Sequence, residues 1–583
     1  MQTCWDLSYL YTGFDDPAFA ADLEALKSCI ASARTALEAV KDDKEFLKAF
    51  IAENETISSL MDRLFSYCEL TLSADASNAQ AEKYLDQVVL LSNDMSLLSS
   101  SVIRRLGSMN DLDQTIASLP EAGTCAFALR EMADQAHHSI PEAIEPWILK
   151  MQLSGGSAFS MLRNKLDATH LVEYRGESLP LSAVRGLAYS PDESVRKDAY
   201  DAEIASYSKM EIPMASCLNA IKMEARTLSE LKGYPSVLDM TLSESRMDRE
   251  TLNAMWTAVR EALPDFRRYL LAKARLLGHK KGLPFWDLFA PVGKSRTYTL
   301  EEAHDLLLRE MGKFTPKMAE FMDHAFQASW IDVYPRAGKS GGAFCAGVHS
   351  YDRSLVLTNF QGSFSDVSTL AHELGHAWHN RCLAGLPYLM IDTPMPLAET
   401  ASIFNETMLS YQVLSSCSPE EELHLLENGL MEATQTVVDI YSRFLFEQEV
   451  IDTRADHAMS VDELKAAMLR AQDASYGDGL DPEVRHPYMW ACKSHYYWSG
   501  YNFYNFPYAF GLLFGKDVFA RYLEKGPAFA EDYCRLLRSC GSAPVADVAA
   551  SVGIDVRDPA FWRSSLEVIR KDIDEFCELA ENN

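Results

Sequence analysis

His372-Glu373-Leu374-Gly375-His376 sets two imidazoles four residues apart, with a carboxylate directly after the first. On a helix, residues at that spacing share a face. Two such imidazoles can hold one tetrahedral zinc ion, with Zn–N bonds of about 2.0–2.1 Å. Glu373 is turned by about 100° around the helix, so it is poorly placed to bind the ion together with both histidines. It can instead reach a water on the ion, whose pKa falls toward about 7, and take its proton. The chemistry this allows is hydrolytic attack on a polarised carbonyl. The plain alternative is a core helix whose histidines bond to local carbonyls.

A catalytic zinc site needs a third protein ligand and an open fourth position. Downstream, Leu397–Glu406 (LAETASIFNE) reads as a helix entered from a Pro-containing loop, Thr393-Pro394-Met395-Pro396. Its glutamates, Glu399 and Glu406, are seven residues apart and share a face. Ala398, Ala401 and Ser402 are small enough to let it pack closely on the first helix. One glutamate can bind the ion while the other fixes a ligand histidine through its second ring nitrogen. A third cluster, Lys493–Tyr508 (KSHYYWSGYNFYNFPY), is dense in aromatic residues. Such density ordinarily means core packing, yet its His and Tyr residues are also the donors that an oxyanion requires.

These groups need a scaffold, and helical periodicity dominates the chain. Leu23, Leu26, Ile30, Ala33 and Leu37 form one apolar stripe over residues 22–38. Similar patterns recur over 43–70, 80–105, 110–135, 195–230, 250–275, 300–325, 420–450 and 461–475. Ser190-Pro191-Asp192-Glu193 reads as an N-cap, a first-turn proline and a capping-box glutamate, and Thr299 with Glu302 as a second capping box. Strand patterns are few: 342–349, 354–359 and a small patch within 169–181.

The chain has 583 residues, enough for two or three subdomains. Its formal charge of -30 argues against nucleic acid or an anionic membrane as partner. The N-terminus lacks a basic region followed by an apolar run, and no stretch is long and apolar enough to span a bilayer. The twelve cysteines are scattered without a CxxC pair, the pattern of a reducing, cytoplasmic setting.

TLAHELGHAWH (369–379) and AETASIFNE (398–406) resemble the M3 family of zinc peptidases, and within it the oligoendopeptidase F group. WDLSYLYTGFDDP near the start, FWDLFAP (285–291) and the late YCRLLRSCGSAPVADVAASVGIDVRDPAFW extend the resemblance over most of the chain. It implies a mainly α, multi-helical, bowl-like fold with a deep substrate channel and one small β-sheet near the zinc helix. It implies one Zn2+ per chain held by His372, His376 and Glu399, with Glu373 as base and Glu406 orienting a ligand histidine. It also implies His495 and Tyr508, with Tyr504 as a second tyrosine, as donors to the oxyanion. Gly342, Ala343 and Phe344 resemble the family's Gly-containing edge, which binds substrate backbone. Three regions are expected: an N-terminal helical region over 1–110, an N-terminal subdomain of the oligoendopeptidase F type over 111–190, and a catalytic domain over 191–583.

The expected activity is hydrolysis of internal bonds in short, unstructured peptides. Two alternatives stand beside it: an exopeptidase on the same scaffold (a carboxypeptidase or dipeptidyl carboxypeptidase), and a non-catalytic peptide-binding protein.

Overall fold

The computed structural model describes residues 2–582 apart from Ser295 and Ser416, and apart from the side chains of Asn93, Pro419 and Glu420. Helices account for most of it. The N-terminal helices are α1 (Pro17–Ala39), α2 (Asp43–Ala74) and α3 (Ala79–Gly107). In α1 the stripe Leu23, Leu26, Ile30, Ala33 and Leu37 is buried as its spacing requires. Asp16 caps it, with Pro17 in the first turn. Further on, α4 (Arg249–Leu276) carries Pro264 in its interior and packs along α10 (Pro559–Asn582) near the end of the chain.

Some long periodic segments divide where the backbone chemistry dictates. The 300–325 pattern is two helices, because Pro316 cannot continue the ladder from Phe314. The capping box of Thr299 and Glu302 is present. At the helix Glu193–Ser206 the N-cap is Asp192, whose carboxylate accepts from the Ser194 N–H. Ser190 is therefore not the cap. It lies two residues earlier, where its hydroxyl accepts from the Asp192 N–H.

Two small sheets interrupt the helices. β1 (Leu171–Tyr174) and β2 (Glu177–Pro180) form a hairpin. β3 (Ile331–Asp332), β4 (Phe344–Val348) and β5 (Arg353–Leu357) form a sheet of order β3-β5-β4, with β3 parallel and β4 antiparallel to β5. β4 is thus an edge strand, and it begins at Phe344. Gly342 (φ +77°) and Ala343 lie in the loop that leads into it, two residues later than the sequence pattern suggests. Gly342 is held there by the Asn359 amide, which donates to its carbonyl at 2.9 Å.

The site elements follow: α5 (Phe364–Leu383), α6 (Thr400–Leu414), α7 (Pro419–Thr434), α8 (Phe506–Lys525) and α9 (Phe529–Ser539). A π-helical stretch, Gln435–Asp439, joins α7 to the next helix, Ile440–Thr453. Such bulges tend to occur beside functional sites.

Candidate metal centre

α5 starts at a capping box, Ser363 with Asp366, and runs unbroken through His372 and His376. α6 lies against it at unusually short range because of Gly375. A Cβ on that residue would stand 2.6 Å from the Ala401 carbonyl oxygen and 2.7 Å from the Ser402 Cα. Buried Asn405 on α6 fastens the pair by donating to the Ala371 carbonyl at 3.1 Å. Gly375→Ala is therefore expected to push the two helices apart, at about 1–3 kcal/mol of stability. Thermal melts should show the loss and elemental analysis a lower metal content; unchanged values for both would refute the close-packing argument.

Glu399 sits at a break between the short helix Met395–Ala398 and α6, not within one continuous helix. The break turns its carboxylate toward α5. Ser402 donates to Glu399 Oε2 at 2.8 Å, and Gly511 of α8 leaves room for the Glu399 side chain.

Three donor atoms converge. His372 Nε2 and His376 Nε2 stand 3.2 Å apart, and Glu399 Oε2 lies 3.3 Å from the first and 3.4 Å from the second. A tetrahedral ion with bonds of about 2.0–2.1 Å requires donor pairs roughly 3.3–3.4 Å apart. The residues present thus fit a zinc ion, both in donor type and in spacing. On the far side of the ring, Glu406 Oε1 lies 3.1 Å from His372 Nδ1, which directs Nε2 toward the other two donors. Burial alone would lower the pKa of His372. The hydrogen bonds to Glu399 and Glu406 outweigh it and raise it to about 11. Glu399 is held well below the usual carboxylate range: burial opposes this, and both histidines override it.

Glu373 points elsewhere. It is 6% exposed, and burial raises its pKa despite the two neighbouring histidines. Among the described residues it makes no hydrogen bond or ion pair. It faces the side of α5 on which β4 packs, where Cys345 feels its charge.

Tyr508 lines the same cavity as His372 and Glu399. Its hydroxyl lies 3.3 Å from that of Tyr504, whose ring stacks on His495 at 5.2 Å. The three form one aromatic row leading into the cavity, while Tyr501 is exposed. Burial, then Arg443 and Lys493, push His495 down to about 4, so it is a neutral imidazole at neutral pH. The structure thus sets His372, Glu399, Glu406 and Tyr508 around one cavity and links Tyr508 through Tyr504 to His495, while Glu373, on another face of α5, is near enough to both histidines and Glu399 to feel their charge. Gly342 and Ala343 stand apart, before the edge strand.

The sequence reading missed Lys222 and Glu447. Lys222 is fully buried and donates to Glu447 Oε1 at 2.7 Å and to Asn502 Oδ1 at 3.0 Å. Glu447 also accepts the Phe503 N–H at 3.0 Å. Phe503 has φ +51°, a conformation a bulky residue rarely adopts, and this buried pair holds it, and hence the loop carrying Tyr504. The available signal was a lysine on the apolar stripe of its helix, between Leu218, Ile221 and Ala225.

The sequence profile of peptidase family M3 matches residues 186–568, more than half of the chain. Oligopeptidase PepF of Bacillus subtilis is 22% identical over 99% of this chain and 87% of its own length. The chromosomal oligoendopeptidase F of Lactococcus lactis subsp. cremoris is 26% identical, over 68% of this chain and 65% of its own. Among solved structures, a Chlamydophila abortus protein with a provisional peptidase assignment superposes with a TM-score of 0.85 at 24% identity, covering 99% and 98% of the two chains. Oligoendopeptidase-F from Enterococcus faecium superposes with a TM-score of 0.72 at 18% identity, covering 97% and 99%.

Proposed function

The chain belongs to peptidase family M3, and from that premise we propose that it is a zinc-dependent endopeptidase acting on short peptides. The carrying observation is the donor triangle of His372, His376 and Glu399, set at the edge length of a tetrahedral ion, with an unpaired carboxylate on the next helical position. One zinc per chain, when bound, supplies electrophilic polarisation of the carbonyl and acidification of the attacking water. Every other task falls to the protein.

Glu373 takes the proton from the attacking water and passes it to the leaving amine. Having no hydrogen bond of its own, it is free to do so. Glu406 keeps the His372 ring oriented. Neutral His495 and the Tyr508 hydroxyl donate to the carbonyl oxygen as negative charge gathers there, with Tyr504 supporting Tyr508. The free edge of β4, entered through Gly342 and Ala343 and beginning at Phe344, adds the extended peptide as a further strand. Main-chain pairing of this kind makes little demand on sequence. The setting we favour is the cytoplasm: all twelve cysteines are free, and among the described residues no helix is long and apolar enough to cross a membrane.

Mass spectrometry of peptides blocked at both ends, with and without a chelator, tests the reading. Internal cleavage that the chelator abolishes is expected. Cleavage only of peptides with free ends would favour an exopeptidase, and binding without cleavage a peptide-binding protein. Tyr508→Phe is expected to lower kcat about 100-fold with little change in KM, because its hydroxyl acts on charge that appears only in the transition state. A rise in KM at constant kcat would make Tyr508 a ground-state contact instead.

A further inference from the structure

The cavity that opens at His372, Glu399 and Tyr508 does not end there. It continues between α5, α6, α7, α8 and α10 and encloses about 400 Å³. Its walls are apolar along Ile403, Leu426 and Leu512. Three charged side chains line it beyond them: Glu432 on α7, Lys516 on α8 and Asp572 on α10. Among the described residues, none of these three is within ion-pair distance of another or makes a side-chain hydrogen bond. Lys516 acts on both carboxylates only at longer range.

Charged groups left unpaired in a concave site are unfavourable unless something complements them. Glu406 is engaged with His372, so two carboxyls face one ammonium; enclosure favours their neutral forms, and a cation entering between them supplies the counter-charge that lets both ionise. Enclosure by the surrounding helices, and then the nearby Glu406, push the Glu432 carboxyl upward; burial does the same to Asp572. Glu432 nevertheless keeps contact with the cavity's solvent, so a ligand can reach it. The complement to such a site is a long apolar stem ending in a cation.

We propose that this cavity receives the side chain of an arginine or lysine flanking the cut bond, its stem along Ile403, Leu426 and Leu512 and its charged head between Glu432 and Asp572. The inference rests on the peptidase reading and gives it a preferred substrate class, basic peptides. Lys516 offsets one of the two carboxylates and so limits the site to one cation. The strongly acidic chain adds long-range attraction for such peptides.

The test uses one doubly blocked peptide sequence in which the residue on either side of the cut is in turn arginine, citrulline (the same shape without charge), norleucine or glutamate. For the wild-type enzyme, kcat/KM for arginine over citrulline is expected to be about tenfold or more at one of the two positions. The ratio should fall toward one in Glu432→Gln/Asp572→Asn and rise in Lys516→Met. Because each ratio is internal to one protein, a general loss of activity in a variant does not mimic the effect. Equal cleavage of the arginine and citrulline peptides at both positions overturns the proposal alone, as does a ratio unchanged by the double substitution. Absence of any cleavage overturns the peptidase reading, and this proposal with it.

Discussion

Glu373→Gln is expected to keep the metal ion and lose about 10³-fold in kcat. The glutamine side chain has the same shape but cannot accept a proton, so proton removal falls to bulk solvent. The donor triangle should be untouched, since Glu373 makes no bond to His372, His376 or Glu399. Stability supplies an independent check. The pKa of Glu373 is raised by burial, so its ionised form is disfavoured in the folded state. As pH rises above the ordinary carboxylate range, the wild-type chain therefore loses stability at this position, and glutamine does not. In metal-free protein, the Tm of Glu373→Gln should match the wild type at acidic pH and exceed it at neutral pH. Near-normal kcat with full metal content would remove Glu373 from the base role.

The contrast between Glu373 and Lys222 shows what a sequence can reveal about such a site. The His-Glu pattern is legible because its two histidines lie four residues apart on one helix, where geometry follows from the helical repeat. The buried stripe of α1 is legible for the same reason. The role of Gly375 is not, because what requires glycine there is the backbone of Ala401 and Ser402, brought up by tertiary packing. Glu399, expected as a ligand on a continuous helix, stands 3.3 and 3.4 Å from the two histidines but at a break between helices. Its position at a break depends on how Met395–Ala398 docks on α8, a long-range contact. Lys222, Glu447 and the Phe503 loop meet from three distant stretches of chain. So do Glu432, Lys516 and Asp572, each of which reads from sequence as an ordinary charge on a helix face. Local periodicity carries the histidine pair, and long-range packing decides what surrounds it.

Glu399→Ala separates binding from the acid–base step. It removes a direct donor and is expected to weaken zinc binding by more than about 100-fold, whereas Glu406→Ala, which disturbs only the orientation of His372, should cost about 10–100-fold. The order of the two effects is the prediction. Glu399 also steadies the metal-free site by pairing with both histidines, at 3.3 and 3.4 Å. Its carboxyl is held below the usual range, so the stability it contributes is present at neutral pH and is lost as pH falls. Part of any Tm loss in Glu399→Ala is therefore not a metal effect. Glu399→Gln separates packing from charge, since it keeps the bulk packed against Gly511 and can still accept from Ser402 but lacks the charge that pairs with the histidines. Both variants, prepared metal-free and titrated with zinc, should recover activity only at raised concentrations, with metal content tracking the recovery. Stoichiometric zinc retained by Glu399→Ala after dialysis would mean that another side chain completes the triangle, and the assignment of Glu399 would fall.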